Sequence, residues 1–112
     1  MKVITKRETK KVQNNPFCIA MEYPIGDKDI NGAVIILDGR FPVKGRTVNM
    51  MCKEIAYILK GKGKLGVEGK EFTLKKGDLA FILPGERFYW EGNMEIFMPC
   101  TPAWYPEQHK EV

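Results

Sequence analysis

Hydrophobic and polar positions along the chain alternate over short distances. Runs of four to seven β-favouring residues, bounded by Gly, Pro, Asn or Asp, recur about every ten residues, and no segment keeps helical spacing. The pattern predicts an all-β sandwich or barrel. A hairpin is expected around Gly69, which separates two alternating runs. The predicted strands are 17–23, 33–37, 47–52, 55–60, 64–67, 71–74, 79–83, 87–90 and 94–99.

One domain accounts for the whole chain. Of its 112 residues, 44% are hydrophobic, which is enough for one core without disulfides or a structural metal. We expect a single domain over 1–112, with an N-terminal arm (1–16), a β-barrel (17–100) and an extended C-terminal tail (101–112). Because the tail is rich in aromatic residues, Trp104 is expected to pack back onto the barrel.

Charge and composition exclude several classes of function. The net charge of +4 is spread along the chain, and the sequence has no nucleic-acid recognition motif. We therefore expect no nucleic-acid partner. No apolar run approaches the roughly 18 residues of a membrane span, and the first residues turn charged too soon for a signal peptide. We therefore expect a cytoplasmic protein with no membrane association. Three widely spaced cysteines predict reduced thiols.

Two segments in the middle of the chain carry glycine, glutamate and aspartate in a characteristic order. Glu54 precedes Gly61 by seven positions, and Gly-Asp at 77–78 opens an apolar run that ends at Pro-Gly at 84–85. Together they resemble the two motifs of the cupin superfamily over about residues 33–102. The resemblance implies a small jelly-roll β-sandwich or barrel around a pocket. It also implies a homodimer, because members of this superfamily often dimerise.

Most of the ligands of typical metal-binding cupins are replaced in this chain. The resemblance places the usual pair of histidines on Thr47 and Asn49, or one position later, and the third histidine on Phe88. Only Glu54 remains of the four ligands. Because Fe, Mn, Ni and Zn sites need imidazole, thiolate or several carboxylates, we expect no tightly bound transition metal.

A copper site remains as an alternative. Met50 with Cys52, and Met98 with Cys100, are spaced so that each pair shares one side of a strand. Thioether and thiolate ligands select Cu(I). Ordinary core packing of these side chains is the competing interpretation, and the one we favour.

The only histidine is His109, the fourth residue from the end of the sequence. We expect it at the surface. The alternative is that it folds over the pocket mouth as a general base or as a metal ligand. In the second case, an atypical dioxygenase-type metal set would combine Glu54, Cys52 and His109.

The pocket chemistry is expected to depend on Glu54. Its motif position implies an inward carboxylate, whose pKa burial would raise and which would act as an acid, a base or a ligand-orienting group. Pairing with Arg46 or Arg87 is the structural alternative. Asn49 offers an amide donor and acceptor. Cys52 is a conceivable nucleophile, although an inert thiol is the expected state because no histidine lies nearby in the sequence.

Aromatic residues follow the second motif, where metal cupins keep their third ligand. Phe88, Tyr89 and Trp90 either stack on a ligand or alternate between the two faces of the sandwich. Trp104 either covers the pocket or seals a dimer edge. The candidate ligand-binding residues are Asn49, Cys52, Glu54, Tyr57, Arg87, Phe88, Tyr89, Trp90 and Trp104.

Three functions remain open. The first is binding of a small polar organic ligand, such as a carbohydrate or carboxylate, without a transition metal. The second is a metal-independent isomerase, epimerase or lyase that uses Glu54 as acid or base, with Tyr57, Tyr89 or His109 as its partner. The third is a metal-dependent cupin with an atypical ligand set.

Overall fold

Nine antiparallel β-strands form a curled sheet in the computed structural model, which describes residues 1–112. The main path of the sheet runs β1-β2-β3-β8-β4-β9, and β5 joins it through β8 while also pairing with β6 and β7. This confirms the predicted all-β fold of cupin type. The strands are β1 (Lys10–Asn15), β2 (Cys18–Glu22), β3 (Asn31–Phe41), β4 (Thr47–Asn49), β5 (Lys53–Val67), β6 (Lys70–Lys75), β7 (Leu79–Ile82), β8 (Arg87–Thr101) and β9 (His109–Glu111).

Two of the strands are much longer than the sequence pattern predicts. β5 and β8 each span 15 residues, whereas the pattern divides each of them into two shorter strands. An irregularity between Ile58 and Lys60 shifts the register of β5 against β8 and reverses which residues point inward. Gly61 and Gly92 take positive φ values of 78° and 145° at the same place. Bends therefore interrupt the hydrophobic pattern while the backbone pairing continues.

The interior is filled by alternate residues of the long strands. On β8, Trp90, Met94, Ile96 and Met98 are buried, and the residues between them face outward or are partly covered. This alternation follows from the two-residue repeat of a strand. Ile58 of β5 contributes a fully buried side chain to the same core. The even-numbered positions of β8 therefore form one wall of the barrel.

Both ends of the chain contribute strands that the sequence analysis did not predict. β1 lies in the predicted arm and pairs with β2, while β9 lies in the predicted tail and pairs with β4. β1 reads Lys-Lys-Val-Gln-Asn-Asn and β9 reads His-Lys-Glu, so neither has the hydrophobic alternation that identifies a strand. The β4–β9 pairing brings the C-terminal segment to the mouth of the barrel. None of the helices has the length and apolar character needed to cross a membrane.

Candidate ligand-binding site

A cavity of about 320 Å³ opens into the barrel between β2, β3, β8 and the C-terminal segment. Its walls are mainly apolar and include Leu37, Phe88, Trp90, Ile96 and Met98. The size and the apolar walls are typical of a site for a small organic molecule. Polar groups converge at one end, where β4, β5 and β9 meet.

Glu54 supplies the carboxyl group at that end. It shares the inward face of β5 with Ala56 and Ile58, which are fully buried, because the three residues are two positions apart. One carboxyl oxygen, Oε1, accepts a hydrogen bond of 2.6 Å from Asn49 Nδ2, and Oε2 has no hydrogen bond. Burial raises the pKa of Glu54 to about 7, and the bond from Asn49 opposes that shift.

Asn49 is the centre of the polar network. Its side-chain oxygen accepts hydrogen bonds from Trp104 Nε1 at 3.2 Å and Gln108 Nε2 at 2.9 Å. The same oxygen lies 3.0 Å from His109 Nδ1. With its amide nitrogen on Glu54, the buried Asn49 connects the carboxyl group to three side chains of the C-terminal segment.

His109 lines the cavity rather than the open surface, so the expectation of a surface histidine is wrong. Its backbone pairs with Asn49 across β4 and β9, which turns the ring inward. Because the Asn49 oxygen only accepts, Nδ1 carries the proton, and Nε2 lies 2.7 Å from the hydroxyl of Thr47. Burial lowers the pKa of His109, while nearby Glu111 opposes the shift. At neutral pH the ring is therefore mainly uncharged.

Five of the nine residues predicted from the sequence line the cavity: Asn49, Glu54, Phe88, Trp90 and Trp104. Trp104 packs against His109, with ring centroids 5.5 Å apart. The tail thus folds back onto the barrel as expected.

Tyr57, Arg87 and Tyr89 lie outside the cavity. Tyr57 is 40% exposed on the outer side of β5, and the Arg87 side chain is exposed. Tyr89 follows Phe88 on β8 and therefore points to the other face, where its hydroxyl donates to Glu71. Its ring also packs against two arginines on that face. Strand alternation separates these three side chains from the predicted site.

Cys52 is buried beside the cavity instead of lining it. The thiols of Cys52 and Cys100 both lie 3.3 Å from the carbonyl oxygen of Pro102. Burial raises the pKa of both thiols, so they are protonated at neutral pH, as expected of inert cysteines. Met50 is 47% exposed and does not share a side with Cys52, because β4 ends at Asn49 and strand alternation ends with it.

The side chains present do not fit the metal site of typical cupins. No group of three or more His, Cys, Asp or Glu side chains converges in the structure. Glu54 is bonded to Asn49 rather than to Arg46 or Arg87, and the third ligand position is the apolar Phe88. One carboxyl group beside a neutral amide is a weak donor set for Fe, Mn, Ni or Zn.

The charges around the cavity are mostly acidic. Three glutamates line it, namely Glu22, Glu54 and Glu111, together with the mainly uncharged His109 and with no lysine or arginine. The two ion pairs of the structure, Lys60–Glu95 and Lys64–Glu71, involve none of them. The excess of positive charge in the chain thus lies elsewhere on the molecule.

Comparison with known proteins agrees with this architecture. Pac13 from Streptomyces, described as a nucleoside dehydratase, has a TM-score of 0.89 at 17% identity over 100% of this chain and 91% of its own. Ectoine synthase from P. lautus has a TM-score of 0.75 at 14% identity over 100% of this chain and 90% of its own. An RmlC-like cupin from Shewanella frigidimarina has a TM-score of 0.71 at 17% identity over 87% and 86%.

These identities are low enough that the similarity shows the fold alone. No curated protein sequence matches the chain. The family model of the EutQ-like cupin domain matches residues 36–97, which include all of strand β5 and most of strand β8. The chain therefore belongs to the family of EutQ-like cupin domains.

Proposed function

We propose that this protein binds a small polar organic molecule inside the barrel. The observation that carries the proposal is the Glu54 carboxyl group, which faces an apolar cavity with one oxygen held by Asn49 and the other without a partner. The Glu54 oxygen without a protein partner is therefore available to accept a hydrogen bond from a bound molecule, or to donate one when it is protonated. The apolar walls would bury the rest of the ligand.

Similar structures support a small organic ligand in a barrel of this shape. One Pac13 structure contains uridine, a planar base attached to a polar sugar. In this chain, Phe88, Trp90 and Trp104 provide aromatic faces for a ring, and Glu54 and Asn49 provide polar contacts at one end. A carbohydrate or another polyhydroxy compound would use the same groups.

Thermal unfolding with a panel of small molecules tests the proposal. A ligand that binds the native state raises the unfolding temperature, by an amount that grows with the logarithm of its concentration relative to its Kd. Ala20 lines the cavity, and Ala20→Phe should fill it and abolish the shift, whereas Ala103→Phe, outside the cavity, should not. A hit that binds both variants equally would place the ligand elsewhere and contradict the proposal.

A second candidate function is acid–base catalysis by Glu54. With its pKa raised to about 7, Glu54 populates both protonation states near neutral pH, which is the condition for an efficient general acid or base. His109 is linked to Glu54 through Asn49, whereas Tyr57 and Tyr89 lie outside the cavity. The reaction would be an isomerisation, epimerisation or elimination.

Glu54→Gln separates the two functions once a ligand is known. The amide keeps the shape of the side chain but cannot transfer a proton. An acid–base enzyme should then lose most of its turnover rate while it keeps its ligand affinity within a few-fold. Full turnover in Glu54→Gln would rule out this second function.

The homodimer expected from the resemblance is also a proposal. Large apolar side chains are exposed side by side on the outer surface of the barrel, where Ile55 lies opposite Phe81, and Tyr57 lies opposite both Leu79 and Phe97. Each is 39–57% exposed. We call Ile55, Tyr57, Leu79, Phe81 and Phe97 the outer apolar face. A contiguous patch of this kind is typical of an interaction surface.

A further inference from the structure

We propose that the ligand of this cavity is a small organic cation, an amine or ammonium group attached to an apolar or aromatic body. The inference rests on the proposed ligand-binding function and specifies the charge of the ligand. The chain and its cavity differ in the sign of their charge. The chain has 18 Lys and Arg against 14 Asp and Glu, yet three glutamates line the cavity and no lysine or arginine does.

The carboxyl groups of the cavity are not neutralised by the protein. Neither ion pair of the structure includes Glu22, Glu54 or Glu111. Glu54 is the most enclosed of the three, and only the neutral amide of Asn49 bonds to it. A carboxylate in apolar surroundings is costly without a counter-charge. A bound cation would supply this counter-charge beside Glu54, where the protein has none.

The aromatic walls favour the same class of ligand. Phe41, Phe88, Trp90 and Trp104 line the cavity that Glu54 enters. The faces of aromatic rings attract organic cations, most strongly where water is excluded. The same rings would pack against the apolar part of the ligand. A neutral sugar could use the same rings, so the negative charge without a counter-charge is what favours an amine over a sugar.

Trp90 provides an independent indication that the cavity is completed by a ligand. Its side chain is 3% exposed, and its indole N–H has no hydrogen-bond acceptor in the protein. Buried donors of this kind are rare, because each unmade hydrogen bond is unfavourable. An oxygen or nitrogen acceptor on the body of the ligand would satisfy it. The ligand would therefore combine a cationic group with an acceptor atom.

An anionic ligand would be poorly accommodated in this cavity. A carboxylate or phosphate would face the three glutamates without a lysine or arginine to bind it. Arg40 and Arg46 lie on the other face of β8, where both pack against the ring of Tyr89. Of the ligand classes expected from the sequence, the carboxylate is therefore disfavoured.

Three probes of nearly equal size test the preference for charge. Benzylamine, benzyl alcohol and benzoate share one ring and differ in being cationic, neutral and anionic. Trp90 and Trp104 are the only tryptophans of the chain, and both line the cavity. Tryptophan fluorescence of the full chain at about pH 8 therefore reports binding there directly. We expect benzylamine to bind at least about tenfold more tightly than benzyl alcohol, and benzoate to bind most weakly.

Matched variants test whether Glu54 causes this preference. Glu54→Gln should reduce the advantage of benzylamine over benzyl alcohol to about twofold or less, because the enclosed negative charge is lost. Glu95→Gln removes a carboxylate from the outer surface, where it pairs with Lys60, and should leave the preference unchanged. Circular dichroism would establish that both variants are folded.

The possible outcomes separate this inference from the proposed function. If benzyl alcohol or benzoate binds as tightly as benzylamine, the cavity accepts organic ligands but the preference for a cation is wrong. The preference is also wrong if Glu54→Gln leaves it unchanged. If none of the three probes alters the tryptophan fluorescence, and the panel of ligands produces no thermal shift, both proposals fail.

Discussion

The protonation of the Glu54 carboxyl group depends on individual atoms of the neighbouring side chains. Asn49 holds one carboxyl oxygen and cannot accept a proton from it, so the other oxygen is the one that gains or loses a proton. The amide orientation is fixed by the three donors on the Asn49 oxygen. At the residue scale, the site is therefore an enclosed carboxyl group in a prearranged hydrogen-bond network.

Replacing Asn49 with Ala should destabilise the fold strongly. The change removes the acceptor of Gln108 and Trp104 and the donor to Glu54. Each buried polar group left without a partner costs about 1–3 kcal/mol, so we expect a loss of at least roughly 2 kcal/mol in urea unfolding. Asn93→Ala, at an exposed position, should change stability by less than about 1 kcal/mol. Equal effects of the two substitutions would contradict the central role of Asn49.

Glu54 should also make stability depend on pH. Its pKa is raised from 4.5 to about 7 in the folded protein, so the folded state binds more protons than the unfolded state between these values. Its contribution is fully present below about pH 4.5 and is lost as pH rises through about 7, by up to roughly 3 kcal/mol.

Urea unfolding between about pH 5 and 8.5 measures this contribution. The difference in stability between the native chain and Glu54→Gln should shift against the native chain as the pH rises. His109, whose pKa is lowered, acts in the opposite direction in both proteins and cancels in the difference. Parallel pH curves for the two proteins would mean that Glu54 has an ordinary pKa.

At the scale of elements, the local sequence pattern predicts which residues share a face of a strand, whereas it does not predict which distant strands pair. Alternation along β8 correctly predicted that Phe88 and Trp90 share a face that excludes Tyr89. The cupin resemblance correctly predicted an inward Glu54. For His109 the sequence favoured a surface position over the alternative at the pocket, because its true position depends on pairing with Asn49, 60 residues away, through a strand of three polar residues. Such pairing leaves no local hydrophobic signal.

The bend shared by β5 and β8 gives a prediction at this scale. A side chain at Gly61 would overlap the backbone of Asn93, and φ there is +78°. Gly61→Ala should therefore cost more than about 2 kcal/mol of folding stability. Gly69→Ala, in the hairpin between β5 and β6, meets nothing within 4 Å and should cost less than about 1 kcal/mol. Thermal unfolding of both variants makes the comparison, and similar stabilities would contradict the role of the bend.

At the scale of the whole molecule, the cavity and the outer apolar face carry different kinds of side chain. The cavity holds carboxyl groups and aromatic rings, whereas the outer apolar face exposes five large hydrophobic side chains to solvent. The face crosses three paired strands, β7, β5 and β8. This arrangement places the proposed dimer interface and the proposed ligand-binding site on different parts of the molecule.

Phe81→Lys should disrupt the proposed dimer. Phe81 is 57% exposed on β7, so a lysine there disturbs the monomer little but places a charge inside an apolar interface. Thr73→Lys adds the same charge at an exposed position of β6. Sedimentation analysis should find a dimer for the native chain and Thr73→Lys, and a monomer for Phe81→Lys. A monomeric native chain would refute the proposal.

The most direct test of the site is the titration of Glu54 itself. NMR of protein labelled with ¹³C at the glutamate carboxyl groups follows its ionisation, and the Glu54→Gln spectrum identifies its signal. The structure predicts a midpoint near pH 7, which benzylamine should lower and benzyl alcohol should leave unchanged, because a cation stabilises the carboxylate. A midpoint near 4.5, insensitive to both probes, would contradict an enclosed carboxyl group that binds the ligand.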